Sequence, residues 1–260
     1  MITGSLAQTS RTPTFMSEKP IIKAPIPKIK VFISNPQSDN DAWWFPKPFE
    51  IVKEIHDSNL VMFTGGADVT PKLYGHSPHH STCNSIERDE TDKKAYDIAT
   101  YSQLPKIGIC RGAQFLCVMA GGALVQDQSN GAAIHAVKTF TKKSIAVRSD
   151  HHQAQYPWGL PEGTWDLLSW TEGMHNKHIG WHQHVGITEL INNLAHRYNS
   201  PIKGSHLPEI EDVYYRNINA LAIQSHPEWS DEDNSIDALA LDYYRSLVLR
   251  LMYGWDKAAV

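Results

Sequence analysis

Short, continuous apolar runs recur along the first half of the chain and again near its end. Runs of this kind, bounded by glycine, proline or polar residues, are typical of strands buried on both faces of a sheet. They predict strands at residues 28–34, 60–63, 106–109 and 220–224. Segments with apolar residues at helical spacing predict helices at residues 49–57, 88–101, 111–120 and 235–253. Strands that alternate with helices indicate an α/β fold, in which helices cover both faces of a parallel sheet.

The second half of the chain has a different pattern, which is richer in β-branched residues. Extended segments are predicted at residues 123–127, 134–147, 165–170 and 213–215. The segment at 175–207 is too long for an ordinary loop and has partly helical spacing, so we interpret it as a helical insertion near the functional edge of the sheet. Residues 1–27 are polar and dotted with proline, and they predict a flexible arm ahead of a single domain at residues 28–260.

The composition is that of an ordinary globular protein. Of 260 residues, 41% are hydrophobic and 20% are charged, and the formal net charge is −4. This balance gives no electrostatic reason to expect nucleic acid or an anionic membrane as a partner. No apolar run reaches the roughly 18 residues that a membrane-spanning helix needs. Cys83, Cys110 and Cys117 have neither disulfide nor metal-ligand spacing, which favours a reducing compartment and predicts a cytoplasmic protein.

The clearest chemical signal is a cysteine between two glycines, where a predicted strand ends and a predicted helix begins. The strand at 106–109 runs into Cys110, which Gly108 and Gly112 flank. Such a turn lifts one side chain off the end of the sheet and sets it at a helix N-terminus, where the helix dipole lowers the pKa of a thiol. The same arrangement with serine forms the nucleophile elbow of α/β-hydrolases. A buried core cysteine is the alternative, but the two close glycines favour a catalytic one.

Two other predicted strands also end in residues that can do chemistry. Gly65-Gly66 follows the second predicted strand, and His226-Pro-Glu228 follows the last. Ligands of open α/β sheets bind beyond the carboxyl ends of the strands. Cysteine catalysis needs an imidazole that takes and returns a proton, and a carboxylate that holds the ring. His226 and Glu228 supply both, and their spacing of two puts them on the same side of an extended segment. Alone, His226 could simply line a sheet end, but the three strand ends together favour an active site.

These motifs resemble those of the class I glutamine amidotransferases, and most nearly their γ-glutamyl hydrolase branch, the γ-glutamyl-γ-aminobutyrate hydrolase type. The runs that carry the resemblance are, in chain order, Gly65-Gly66-Ala-Asp-Val-Thr-Pro-Lys-Leu-Tyr-Gly, Glu87-Arg88-Asp89, Gly-Ile-Cys110-Arg-Gly-Ala-Gln, Gly121-Gly122-Ala-Leu-Val-Gln-Asp, Ser149-Asp-His151-His152-Gln153 and His226-Pro-Glu228. The resemblance extends over roughly residues 28–229. A lone Gly-x-Cys-x-Gly is a weak signal, whereas several motifs in the same order are a strong one.

The resemblance implies a flavodoxin-like α/β fold with a central, mostly parallel sheet, and covalent catalysis without a cofactor. It implies that Cys110, as a thiolate, attacks the γ-carbonyl of a glutamine-like side chain and forms a γ-glutamyl thioester. His226 would protonate the departing amine and then activate water, and Glu228 would orient His226. By motif position, the backbone N–H groups of Gly66 and Arg111 would bind the oxyanion.

The same resemblance implies where the α-amino-acid end of a small γ-glutamyl substrate binds. The matching positions are Gln114 and the turn at 150–153, which contributes His151, His152 and Gln153. Gln114 lies one turn into a predicted helix and could instead be solvated. One of the two histidines could also do no more than pack or hydrogen-bond locally.

Several other polar residues are assigned structural roles. Arg88 and Asp89 are interpreted as a structural ion pair and not as site residues, since surface pairs contribute little. Cys117 falls on an apolar helix face and is expected in the core. Asp68 is expected to tie down the turn at 65–66 through local hydrogen bonds. No metal is expected, because the histidines of the 175–207 segment match no zinc motif.

Three functions remain compatible with these residues. The first is a free-standing hydrolase of γ-glutamyl amides. The second is a glutaminase that delivers ammonia to a separate synthetase or ligase subunit. The third is a binding protein of the same fold without turnover, which the intact set of Cys110, His226 and Glu228 disfavours. A chain without a synthetase domain favours the first. The sequence does not identify the amine that the reaction releases. Its apolar helix faces are compatible with an oligomer.

Overall fold

The fold is described by a computed structural model, which covers residues 28–127, 133–171 and 209–255. The predicted N-terminal arm at 1–27 and the predicted insertion at 175–207 lie outside the described residues. Within the three described ranges, no helix is both long enough and apolar enough to cross a membrane.

A nine-stranded sheet forms the centre of the molecule. The strands of the described ranges are Ile29–Ser34 (β1), Phe49–Val52 (β2), Leu60–Phe63 (β3), Lys106–Ile109 (β4), Ala123–Val125 (β5), Ala133–Thr139 (β6), Ser144–Ser149 (β7), Ala154–Tyr156 (β8), Trp165–Trp170 (β9), Ile210–Tyr215 (β10) and Ala220–Ile223 (β11). The order in the sheet is β2-β1-β3-β4-β11-β10-β9-β6-β7, and β5 pairs with β8 separately. Neighbours from β2 to β11 are parallel, and those from β11 to β7 are antiparallel.

Helices cover both faces of this sheet. They are Ile86–Tyr101 (α1), Arg111–Met119 (α2) and Ser235–Tyr253 (α3). Alternate residues of β3 point to opposite faces, so that Met62 packs in the core under α3 and Phe63 in the core under α1 and α2. Burial on both faces explains why the strand reads as a continuous apolar run. The predicted flavodoxin-like α/β fold with a central, mostly parallel sheet is confirmed, and the antiparallel strands extend it beyond β11.

The predicted helix at 49–57 is wrong. Residues Phe49–Val52 form a strand that pairs in parallel with β1, and a short 3-10 turn follows at Ile55–Asp57. The exposed edge of β1 offers a row of unpaired backbone groups, which a neighbouring segment with β-branched residues can satisfy. This tertiary pairing outweighs the local helical spacing. The extended segment predicted at 134–147 is likewise divided, into the antiparallel pair β6 and β7.

Candidate active site

Cys110 lies at the sharp turn between β4 and α2, at the carboxyl end of a central parallel strand. Its backbone has φ 51° and ψ −108°, a conformation that residues other than glycine rarely adopt. This turn directs the chain from the strand into the helix and leaves the thiol beside the first turn of α2. The side chain is 6% exposed, and Sγ lies 3.8 Å from the backbone carbonyl oxygen of Asp150. The predicted strand, turn and helix around Cys110 are confirmed.

Gly108 and Gly112 are needed because the turn packs directly against neighbouring backbone. A Cβ atom on Gly108 would lie 2.3 Å from the carbonyl oxygen of Gly112. A Cβ atom on Gly112 would lie 2.1 Å from the carbonyl oxygen of Phe63. Glycine at both positions therefore lets α2 approach β3 and β4 closely, and this approach fixes where the Cys110 side chain stands above the sheet.

His226 and Glu228 follow β11, the strand beside β4. Ile223 and Ile109 are partners in the parallel register, so both chains leave the sheet at the same level. Nδ1 of His226 lies 2.6 Å from Oε1 of Glu228. A 3-10 turn at Pro227–Trp229, and not the predicted extended segment, brings the carboxylate to the ring. Since the carboxylate accepts from Nδ1, the other ring nitrogen, Nε2, is left to exchange a proton with a reacting group.

The three strand ends meet around Gly65, which follows β3. A Cβ atom built on Gly65 would lie 3.3 Å from Cε1 of His226 and 3.8 Å from Cβ of Cys110. The absence of a side chain at this position therefore leaves room for the imidazole and the thiol to face each other. The structure brings together the cysteine, the histidine, the carboxylate and the glycine pair that the sequence analysis singled out.

The neighbours of His226 raise the pKa of its ring. Burial of the His226 ring lowers its pKa, but the neighbouring Cys110 and Glu228 outweigh this effect and raise the pKa to about 10. The ring is therefore an imidazolium at neutral pH, and it lies beside the Cys110 side chain. An imidazolium in this place is a proton donor next to a candidate nucleophile.

Replacing Glu228 by glutamine should move the alkaline limit of activity to lower pH. With a pKa of about 10, the imidazolium persists well into the alkaline range, and its proton is lost as the pH rises through that value. Without the carboxylate, the pKa of His226 should fall by roughly 1 to 3 units. The pH dependence of kcat/KM measures this shift. Glu232→Gln is the matched control, because Glu232 is exposed and pairs with Arg245 instead. An alkaline limit that does not move in Glu228→Gln would contradict the assigned pairing.

Two tryptophans that the sequence analysis missed hold His226 and Glu228 in place. The Trp229 ring stacks on the His226 ring, with centroids 3.6 Å apart and planes 2° from parallel. Trp43 donates from Nε1 to the backbone carbonyl oxygen of Glu228 at 3.0 Å. The role of Trp229 could have been predicted from its position directly after His226-Pro-Glu228. Nothing local indicates Trp43, which is 185 residues away from Glu228 in sequence.

Arg88 fixes the orientation of the peptide between Gly65 and Gly66. Its Nη2 donates to the carbonyl oxygen of Thr64 at 3.1 Å and to that of Gly65 at 3.2 Å. Because a trans peptide points its C=O and N–H in opposite directions, the N–H of Gly66 is directed away from Arg88. Arg88 is therefore a positioning residue for the predicted oxyanion site, although the sequence analysis left it outside that site.

The predicted ion pair between Arg88 and Asp89 is wrong. Arg88 pairs with Asp92, with Nε 3.0 Å from Oδ2, whereas Asp89 pairs with Arg111. Arg111 also pairs with Asp92, and its side chain is 1% exposed. The spacing of four places Arg88 and Asp92 on one face of α1, which neighbouring residues cannot share. Arg88, Arg111, Asp89 and Asp92 together join α1 to the turn of Gly65 and to the start of α2. At the first position of α2, the backbone N–H of Arg111 has no carbonyl partner within the helix.

Three of the predicted substrate-binding residues are buried and connected through one carbonyl group. Gln114 donates from Nε2 to the backbone carbonyl oxygen of Gln153 at 2.9 Å. Nδ1 of His151 lies 2.9 Å from the same oxygen. Burial lowers the pKa of His151, so its ring is neutral at neutral pH. Gln114 is therefore not a solvated helix residue. It anchors the turn at 150–153 beside Cys110.

The fourth predicted substrate-binding residue, His152, is partly exposed and pairs with Asp68. Its Nε2 lies 3.1 Å from both carboxylate oxygens. Asp68 also accepts from the backbone N–H of Cys83 at 2.8 Å. The prediction that Asp68 ties down the turn at 65–66 locally is therefore wrong, because its partners are distant in sequence.

Cys117 lies in the core as predicted, and burial raises the pKa of its thiol to about 12.

A cavity of about 410 Å³ opens beside these groups. Gly65, Gly66, His226 and Glu228 form one wall. The other walls are neutral polar and aromatic side chains, namely Gln37, Ser38, Asn40, Trp43 and Trp229, together with Asp41, Met62, Thr64 and Ile109. Asp41 is engaged by the backbone N–H of Gln37 at 2.7 Å and the hydroxyl of Ser38 at 2.6 Å, so its charge is compensated within the loop.

The chain is similar to known proteins over most of its length. The family model described as Peptidase C26 matches residues 46–228. The protein NtpR of Enterococcus hirae is 25% identical over 191 residues, which cover 73% of this chain and 75% of that protein. The glutamine amidotransferase-like protein YvdE of Lactococcus lactis is 29% identical over 181 residues, which cover 68% and 69%. A glutamine amidotransferase from Thermotoga maritima has the same fold, with a TM-score of 0.54 at 11% identity over 88% of this chain and 99% of that one.

The matched residues include every strand end that meets at Cys110. The family model covers more than half of the chain and reaches from the loop before β2 to Glu228. Together with the relatives, this match supports a cysteine-dependent enzyme of the amide hydrolase or amidotransferase kind. The chain belongs to the peptidase C26 family, within the superfamily of class I glutamine amidotransferase-like proteins.

Proposed function

We propose that this protein hydrolyses a γ-glutamyl amide bond through a γ-glutamyl thioester on Cys110. The observation that carries the proposal is that Cys110 and His226 meet at Gly65, beside a cavity that His226, Gly65 and Gly66 line. Acyl transfer needs a nucleophile, a proton carrier and oxyanion donors within reach of one carbonyl group. Membership of the peptidase C26 family supports this class of chemistry.

In the first half of the reaction, the Cys110 thiolate attacks the γ-carbonyl carbon and a C–S bond forms. The oxyanion accepts hydrogen bonds from the backbone N–H groups of Gly66 and Arg111. The imidazolium of His226 gives its Nε2 proton to the departing nitrogen, so that the C–N bond breaks and a neutral amine leaves. Glu228 keeps Nδ1 protonated throughout and holds the ring plane.

In the second half, water hydrolyses the thioester. His226, now neutral, takes a proton from the attacking water at Nε2, and the oxygen adds to the acyl carbon. The same two N–H groups bind the second oxyanion. When the C–S bond breaks, Cys110 leaves as a thiolate and glutamate is released. The imidazolium–thiolate pair is thereby restored for the next cycle.

The α-amino-acid half of the substrate is assigned to the side of the 150–153 turn. Gln114, His151, His152 and Gln153 are the residues that we propose to hold it, directly or through the turn. The side-chain amide of Gln153 supports this, because it is fully buried and finds no hydrogen-bond partner among the residues that the structure describes. Buried amides are rarely left unsatisfied, so a polar ligand is a natural partner.

The size and place of the cavity favour a substituted amine over ammonia as the leaving group. The leaving nitrogen must lie beside His226, and the cavity opens at that residue. Ammonia is about the size of water, which occupies about 30 Å³ in the liquid, whereas the cavity has about 410 Å³. Apart from Asp41, His226 and Glu228, its walls are uncharged polar, aromatic and apolar residues, which suit an amine whose body is uncharged. This supports a free-standing hydrolase over a glutaminase subunit.

The test is to measure amine and ammonia release by the isolated chain from glutamine and from a panel of γ-glutamyl amides. We expect turnover of amides with bulky neutral amines and little turnover of glutamine. Negligible turnover of every compound until a synthetase partner is added would overturn the hydrolase in favour of the glutaminase subunit. Failure of a glutamine-analogue chloroketone to label Cys110 at neutral pH would point to a protein without catalysis.

A further inference from the structure

A second polar cluster lies behind the 150–153 turn, outside the catalytic group. A ring nitrogen of His151 and one carboxylate oxygen each of Glu209 and Glu211 lie within 4.8 Å of one another. All three residues are buried. A fourth residue, His135, places its Nε2 3.0 Å from Oε1 of Glu211. The proposed hydrolysis uses neither glutamate, and the sequence analysis identified neither.

The fold brings these residues together from three separate segments. Glu209 and Glu211 flank Ile210, where the chain enters β10 with an irregular register, and this brings an oxygen of each carboxyl group to the same cluster. His151 comes from the turn that follows β7, and His135 comes from β6. Two carboxyl groups close together in a buried site need compensation, by a shared proton or by a positive charge near them.

Glu211 has an oxygen that no described group satisfies. The side chain is 1% exposed, and Oε1 is the oxygen that faces His135. Oε2 is buried and finds no hydrogen-bond partner in the described ranges. One N–H from His135 cannot serve both oxygens, and a buried carboxylate oxygen without a donor is costly. A positive ion is the ligand that would satisfy it.

His151 presents the arrangement that metal-binding histidines have. The carbonyl oxygen of Gln153 can only accept, so Nδ1, at 2.9 Å, must donate to it. In the neutral ring, Nε2 then carries the lone pair. Metal-ligating histidines characteristically donate their other N–H to a carbonyl or carboxylate in this way. His135, whose Nε2 lies beside Oε1 of Glu211, is an outer partner of the same kind for that carboxylate.

We propose that His151, Glu209 and Glu211 bind one divalent first-row transition-metal ion, with water completing its coordination. Mixed imidazole and carboxylate ligands suit zinc or manganese more than calcium or magnesium. At metal–ligand distances of roughly 2.0 to 2.2 Å, neighbouring ligand atoms lie about 3 to 4 Å apart. The three ligand atoms, at most 4.8 Å apart, reach this with small side-chain movements.

The ion would brace the wall of the active site without touching the substrate. His151 belongs to the turn whose Asp150 carbonyl faces the Cys110 thiol at 3.8 Å. The same turn carries the Gln153 carbonyl that anchors Gln114. Binding a metal at His151 would therefore hold both carbonyl groups at their distance from the nucleophile, and the predicted effect is on the stability of the turn and not on a chemical step.

The experiment is a calorimetric titration of the untagged, chelator-treated protein with Zn²⁺ and with Mn²⁺, followed by measurement of bound metal after gel filtration. We expect about one equivalent of at least one of these ions per chain. Glu209→Gln and Glu211→Gln should each weaken binding by about 100-fold or more, since loss even of an outer partner costs 10- to 100-fold. Glu162→Gln, an exposed site, should bind as the native protein does.

A variant with alanine in place of His175, His178, His182 and His184 separates this site from the four clustered histidines of the 175–207 segment. Retention of the bound ion in that variant, with loss in both glutamine variants, supports the proposal. The proposal is overturned if the native protein binds neither ion. It is also overturned if binding survives in Glu209→Gln and Glu211→Gln, or if it disappears in the four-histidine variant. A native protein that binds neither ion decides against the proposal even if a glutamine variant does not fold.

Discussion

Replacing Cys110 by alanine should abolish hydrolysis of γ-glutamyl amides while leaving the fold intact. The thiolate is the nucleophile of the first half-reaction, and no thioester forms without it, so kcat/KM should fall by at least about 10⁴-fold. The folded state should change little, because alanine keeps the Cβ atom and removes only the sulfur atom, whose contact to the Asp150 carbonyl oxygen is weak at 3.8 Å. Alanine also adopts the positive φ of 51° about as poorly as cysteine does, so the backbone cost is already present.

The measurement pairs steady-state kinetics with thermal unfolding of the same preparations. Cys83→Ala is the matched control, because Cys83 is also a free cysteine but is exposed. We expect Cys83→Ala to keep native activity and both variants to unfold near the native temperature. Activity that survives in Cys110→Ala would refute the nucleophile assignment, and a large drop in its unfolding temperature would mean that the loss of activity reports on folding.

Replacing Gly112 by alanine should destabilise the whole domain. The new Cβ atom would lie 2.1 Å from the carbonyl oxygen of Phe63, so α2 would have to move away from β3. Backbone cannot yield as the end of a flexible side chain can, and we expect a loss of roughly 3 kcal/mol or more in the free energy of unfolding. For a domain of this size, the melting temperature should fall by roughly 6 to 12 °C.

Gly159→Ala is the matched control for this prediction. A Cβ atom at Gly159 would meet no atom within 4 Å, so this variant should unfold within about 0.5 kcal/mol of the native protein. Chemical denaturation followed by circular dichroism measures both. Equal stability of the two variants would show that the close packing of α2 against β3 is not required. If Gly112→Ala yields no folded protein at all, the Gly159→Ala control still shows that an added methyl group alone is not the cause.

The sequence predicts those residues of the site that lie within a few positions of one another at the end of a strand. Gly108, Cys110 and Gly112 form one continuous motif, because the constraints on the elbow are local. His226 and Glu228 are also adjacent enough to be recognised as a pair, even though their turn is 3-10 and not extended. The parallel order that brings these ends together follows from the alternation of strands and helices.

The supports of the site were not predictable in this way, because their partners are far apart in sequence. Arg88 acts on the carbonyl groups of residues 23 and 24 positions earlier, on another element. Its pairing with Asp92 and not with the adjacent Asp89 is the exception, because the helical spacing of four residues is a local signal. The helix predicted at 49–57 fails for a related reason, since the open edge of β1 decides its structure and the local apolar spacing does not.

The most direct test of the account is to trap the γ-glutamyl thioester. The native protein is mixed with a γ-glutamyl amide that it hydrolyses, quenched in acid within the first turnovers, digested and examined by mass spectrometry. The account predicts a mass gain of one γ-glutamyl group on the peptide that contains Cys110, lost on treatment with hydroxylamine. Two results would contradict it. The first is rapid turnover with the γ-glutamyl group on a different residue. The second is rapid turnover with Cys110 unmodified at every quench time.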